Sequence, residues 1–203
     1  MGIKRIALFA RTTVWPDKPV YDYVYDRYDE EYEMTKNGDK KITAALKKLM
    51  RPHGIIVNSF ESEKFDAKTY KLYEAADEVI LATDARIPEH RDFCRRAYSF
   101  LNYTEPGNAA PWAPYLLLTN ADLVSSDSLK ESALAIKSVW LTYVPTLSDI
   151  RCEYPVFYCS HDYNHFSLDG VNYEEGIDSV VKYMVEKQDY WNEHRRWAQG
   201  IHF

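Results

Sequence analysis

Glycine is scarce in this chain, and its positions exclude more than its number. Only seven glycines occur in 203 residues, with none in 3–37, none in 55–106 and none in the stretch TNADLVSSD (119–127). A glycine-rich loop that lets backbone amides close around a phosphate is therefore absent after the first predicted strand. Cysteine is nearly as rare. Cys94, Cys152 and Cys159 form an odd, irregularly spaced set, which excludes the disulfide framework of a small secreted domain. No apolar run approaches the roughly 18 residues of a membrane-crossing helix. The opening MGIKRIALFA is too short an apolar run for a signal peptide, so the expected location is cytoplasmic. Net charge is -6, which speaks against general nucleic-acid binding, since that needs a basic face.

What is abundant is tyrosine. There are 17, and five of them fall in VYDYVYDRYDEEYEM (20–34) together with six carboxylates. Tyr21, Tyr25, Tyr28 and Tyr32 recur at helical spacing, and Asp22, Asp26, Asp29 and Glu33 repeat it one position later. The spacing predicts a helix over 20–34 with adjacent aromatic and acidic stripes. The alternation of Tyr21, Tyr23 and Tyr25 leaves a strand or hairpin as the other reading. The tyrosine stripe is either packing on the domain or a lid or partner surface over the strand ends. This acidic segment is expected as an insertion, 14–38, in a single domain spanning 1–203.

The remaining pattern alternates apolar runs with amphipathic segments. Strands are predicted at 3–10, 54–60, 78–84, 115–121 and 154–160. Helices are predicted at 40–50, 65–76, 90–101, 128–141 and 172–191, with a loop at 106–114. Ser125 to Asp127 offers a cap for the fourth helix. Five continuous apolar runs separated by helices imply an α/β fold: a five-stranded parallel sheet in a three-layer, doubly wound arrangement. Ligand sites in such folds lie beyond the carboxyl ends of the strands.

Three groups of residues there carry candidate chemistry. Arg11, Thr12 and Thr13 follow the first strand and either hold a phosphate through a cation, hydroxyls and amides or are a solvent-facing strand end. The basic set Arg86, His90, Arg91, Arg95 and Arg96 either ion-pairs with the acidic segment or binds nucleotide phosphate, with Arg91 and Arg95 sharing a helix face. Cys159, His161 and His165 cluster after the last strand. They are possible metal ligands or, as Cys159 with His161, a nucleophile and its base; the plain alternative is a polar loop. The spacing matches no standard zinc finger, and no metal is assigned. The basic-aromatic end HRRWAQGIHF is a subunit contact or a frayed tail.

Two stretches carry a family resemblance. In AADEVILATDARIPEHRDFCRRAYSFL (75–101), Asp84-Ala85-Arg86 stands where NADPH-dependent FMN reductases have Pro-Glu-Tyr after an "AD-strand-T" segment, and Arg95 stands where they have lysine. In HFSLDGVNYEEGIDSVVKYMVEKQDYW (165–191), Phe166, Asp169, Gly170 and Glu174 match that family's entry into its last helix. The element order resembles the flavodoxin-like fold. The resemblance implies a homodimeric flavoprotein that passes hydride from NADPH to FMN and on to an acceptor. The implied cofactor positions are Arg11, Thr12, Thr13, Asp84, Ala85, Arg86, Asn120, Ala121 and Asp122, with Arg91 and Arg95 on the nucleotide phosphate. A second reading keeps the fold without catalysis: a domain binding a partner protein or a nucleotide.

Overall fold

A computed structural model describes residues 5–12, 28–60, 75–86, 115–143, 156–173 and 176–186. Its centre is a five-stranded, wholly parallel sheet built from β1 (Arg5–Arg11), β2 (Ile56–Phe60), β3 (Glu78–Asp84), β4 (Tyr115–Thr119) and β5 (Val156–Tyr158). The strand order is β2-β1-β3-β4-β5. Leu8 pairs with Ile80 across β1 and β3, and Ile80 with Tyr115 across β3 and β4. Among the described residues, three helices accompany the sheet: α1 (Tyr28–Met50), α2 (Ser126–Tyr143) and α3 (Ile177–Glu186). This is an α/β fold compatible with the flavodoxin-like class, whose strand order is the same.

Burial explains why the strands read as continuous apolar runs. Alternate residues of one strand enter two different cores. Ile6 and Leu8 of β1, Ile80 of β3 and Leu117 of β4 pack with Ile42, Leu46 and Met50 of α1 and with Val180, Val181 and Met184 of α3. Ala7 and Phe9, Val79 and Leu81, and Leu116 and Leu118 pack with Leu129 and Ala133 of α2. In β3 all seven residues are buried, as expected for a central strand covered on both faces. The apolar positions of α1 recur every four residues and those of α3 at i, i+3, i+4 and i+7, which sets the helix face that each buries.

Two departures from the sequence reading have local causes. The final helix does not begin at Asn172. Asn172 and Tyr173 belong to β7 (Val171–Tyr173), which pairs antiparallel with β6 (Phe166–Leu168). The turn between them is Asp169-Gly170, both left-handed, with φ of 51° and 79°. Two consecutive positive φ values make the tight hairpin turn that Asp-Gly favours. Stacking of Phe166 on Tyr173, with centroids 4.8 Å apart, closes the pair. The second departure is α1, which reaches back from the predicted 40–50 to Tyr28. Residues 28–34 of the tyrosine-rich stretch are thus helical and continuous with the core helix. Residues 20–27 of that stretch, like the predicted helix at 90–101, lie outside the described residues. Of the predicted helix at 65–76, only Ala75 and Ala76 are described, and Ala75 is in a turn.

Leu46 is fully buried between α1 and the sheet. Leu46→Ala is expected to destabilise the fold by about 2–5 kcal/mol, the range for deleting a buried leucine side chain. Lys48→Ala, two residues on at an exposed position, is expected to stay within about 0.5 kcal/mol. Urea unfolding followed by circular dichroism measures both.

Candidate functional site at the carboxyl ends of the strands

The ends of β3 and β4 meet in one buried polar knot. Asp84, the last residue of β3, has a fully buried side chain. Its carboxylate receives hydrogen bonds from Arg86 and Asn120. The Arg86 backbone N–H and Nε donate to Oδ1 at 2.9 and 3.1 Å. Arg86 Nη2 donates to Oδ2 at 3.0 Å, and Asn120 Nδ2 donates to the same oxygen at 2.6 Å. The first bond follows from local chemistry, because aspartate readily accepts from the backbone two residues on. The guanidinium fork then returns onto its own turn and neutralises the acid. Asn120 reaches across from β4 because its backbone is left-handed, at φ 56°. Asparagine tolerates this region better than most residues and here takes the conformation glycine would otherwise supply. Ala85 N–H donates to the Thr119 carbonyl at 2.9 Å, so the two strand ends are joined through backbone as well.

The end of β1 is closed differently. Thr12 is fully buried, and its N–H and hydroxyl both donate to Asp39 Oδ1 of α1, at 2.8 and 3.3 Å. An internal carboxylate thus takes the donors that the sequence offers to a phosphate. Tyr163 packs, partly buried, against the core. Burial, followed by the neighbouring Cys159, Asp39 and Asp84, raises its phenol well above the ordinary range.

Beyond β5 the chain makes a tight turn. Ser160 N–H donates to the Asn164 carbonyl at 3.1 Å, Tyr163 N–H to the Ser160 carbonyl at 2.9 Å, and Asn164 N–H to Ser160 Oγ at 3.0 Å. Tyr163 sits at φ 65°, a strained conformation for an aromatic residue that these bonds over-determine. The start of α3 presses on this turn: a Cβ at Gly176 would come within 2.8 Å of the His165 ring and 2.7 Å of Asp178 Oδ1. His165 Nε2 lies 3.2 Å from Asp178 Oδ1.

His161 projects from the same turn. Asp122, in a 3-10 turn after β4 (Ala121–Leu123), accepts the His161 N–H at 2.8 Å and holds ring Nδ1 at 2.5 Å. The hydrogen bond to Asp122 is the leading cause of a raised histidine pKa, supported by the Asp122 and Asp162 charges and opposed by burial and Arg86. Cys159 lies fully buried nearby, and its thiol is pushed far above the ordinary range by burial and then by Asp122 and Asp84. That opposes thiolate formation and a nucleophilic role. Cys159, His161 and His165 do not converge on a metal position. Each histidine is tied to its own carboxylate, and among the described residues no group of three or more metal-binding side chains occurs.

Of the sequence-predicted positions, Asp84, Ala85, Arg86, Asn120, Ala121 and Asp122 come together at the ends of β3 and β4. Thr12 lies at the end of β1, tied to α1. Arg11 is the last residue of β1, while Thr13, Arg91 and Arg95 lie outside the described residues. Sequence reasoning missed Asp39, Tyr163 and Asp178. Asp39 is 27 residues from Thr12 in a helix, and no local signal connects them. Asp178 was legible as an acid in the first turn of a helix. No protein-family model, curated protein or solved structure matches the chain.

Asp84→Asn removes the counter-charge of a buried arginine and is expected to cost about 3–5 kcal/mol in urea unfolding. Changing both partners, Asp84→Leu with Arg86→Met, is expected to recover part of that loss. The His161 pair has a pH signature of defined sign. Its folded pKa is raised, so its stabilisation is complete below the unfolded histidine value of about 6.5 and falls as pH rises through the folded value. The stability difference between the parent and Asp122→Asn should therefore shrink between mildly acidic and alkaline pH, measured as unfolding midpoints.

Proposed function

We propose that the chain is a flavodoxin-like domain of three-layer, doubly wound architecture that binds a small molecule without a phosphate group over its strand ends and does not retain a flavin. The observation that carries this reading is the internal neutralisation of the cofactor positions. Thr12 gives its donors to Asp39, and Arg86 gives its guanidinium to Asp84. An FMN phosphate held by Thr12 at the end of β1 would have to displace the Asp39 carboxylate, an anion competing with an anion. The described residues therefore do not fit that phosphate. The strand order supports a ligand site in this region, because the chain reverses direction across the sheet between β1 and β3.

The flavin reductase reading is the second one. The strand order favours it, since β2-β1-β3-β4-β5 is the order in which flavodoxin-like proteins hold FMN at the β1–β3 switch point. Hydride transfer from NADPH to FMN, phosphate recognition by Arg91 and Arg95, and a homodimer all belong to this reading. A non-catalytic domain that docks a partner protein is compatible with the first.

Flavin titration separates them. Under the first reading, FMN fluorescence stays unquenched as protein is added, and NADPH oxidation with added FMN does not exceed the protein-free rate. A purified protein that is yellow, or saturable quenching of FMN, would overturn it in favour of the reductase.

A further inference from the structure

We propose that His161, positioned by Asp122, is a proton-transfer residue acting on an uncharged small molecule bound over the carboxyl ends of β4 and β5. This goes beyond ligand binding and needs neither flavin nor nucleotide phosphate. The geometry supplies the argument. One carboxylate holds both the backbone N–H of His161, at 2.8 Å, and its ring Nδ1, at 2.5 Å. An ionised carboxylate only accepts, so Nδ1 carries the proton and Nε2 of the neutral ring is left as the basic atom. Two anchors on one residue fix where the ring stands. The Asp122 side chain is largely covered, at 16% exposure, whereas the His161 side chain is 52% exposed and open to a ligand.

Nε2 lies 3.3 Å from Asp162 Oδ2, on a side chain 70% exposed, which a ligand can displace. The charges around the ring are Asp122 on the turn after β4, Asp162 on its own loop and Arg86 beyond β3. Arg86 is already neutralised by Asp84, and the Cys159 thiol beneath stays protonated. With His161 charged, Asp122 and Asp162 leave the immediate site with a net negative charge, which selects against polyanions. The position lies on the carboxyl-end side of the sheet, the side on which parallel α/β sheets hold ligands, and apart from the β1–β3 switch point.

The step balances as acid–base catalysis. Neutral Nε2 takes a proton from water as its oxygen bonds to an electrophilic carbon. The bond from that carbon to the leaving oxygen breaks, with the electron pair going to the leaving oxygen. The imidazolium, stabilised by Asp122, then returns the proton to it. Asp122 stays ionised throughout, in the role that carboxylates play behind catalytic histidines.

The probe is p-nitrophenyl acetate. Its hydrolysis by the intact chain is followed across pH while the His161 ring is titrated by NMR in the same protein. The expected result is a kcat/KM that rises with pH and has the same midpoint as the ring. His161→Gln should lower it by roughly 100-fold, the lower end for general acid–base catalysis. Asp122→Asn should move the kinetic and NMR midpoints down together, a coupled shift that a merely structural tie would not produce. A rate equal to that of His161→Gln, or a kinetic midpoint that does not follow the ring, overturns the proposal. The comparison of midpoints in the unmodified protein stands even if a variant fails to fold.

Discussion

A carboxylate with no exposed surface is the constraint on which this end of the molecule depends. An isolated ion at the position of Asp84 would cost several kcal/mol in lost hydration. The chain answers with the guanidinium and backbone amide of Arg86 and the side-chain amide of Asn120. Each donor sets a local structure. The Arg86 amide requires the turn after β3 to fold back, and the Asn120 amide requires β4 to end in a left-handed residue. The geometry of two strand ends is thereby determined by the hydration of one charge.

The same logic organises the neighbouring ends. Asp39 ties Thr12 to α1, Asp122 ties His161 to the turn after β4, and Asp178 ties His165 to the first turn of α3. Carboxylates, rather than glycine-lined backbone, shape the surface above the sheet. A surface built this way favours ligands that offer hydroxyls or positive charge. It also makes the region responsive to protons, since a histidine and several acids meet there.

The sheet was legible in the sequence because burial on both faces leaves no polar alternation, and each strand stands as an unbroken apolar run. The five strand positions and the α/β class follow from that, as do the buried stripes of α1 and α3. The β6–β7 hairpin was missed although Asp169-Gly170 is a strong hairpin signal. Its strands are only three residues each, and the dipeptide was read as the approach to a helix. In the site, Asp84, Arg86, Asn120 and Asp122 were singled out by their place after strands. Their mutual bonds were not foreseeable, because the partners of Asn120 and His161 lie 36 and 39 residues away. In TNADLVSSD, where glycine is absent, asparagine takes the positive φ itself, which the sequence did not signal.

The bend after β5 has a consequence for association with other chains. Among the described residues β5 pairs through Val156 to Tyr158, and the chain then turns into the loop that carries His161. The Ser160 and Tyr163 N–H groups are bonded to carbonyls inside that turn, so past this point an incoming strand meets donors that are already paired. The bend that brings an imidazole to the surface therefore also limits extension of the sheet at this corner, and a change that straightened it would lengthen a template for self-assembly.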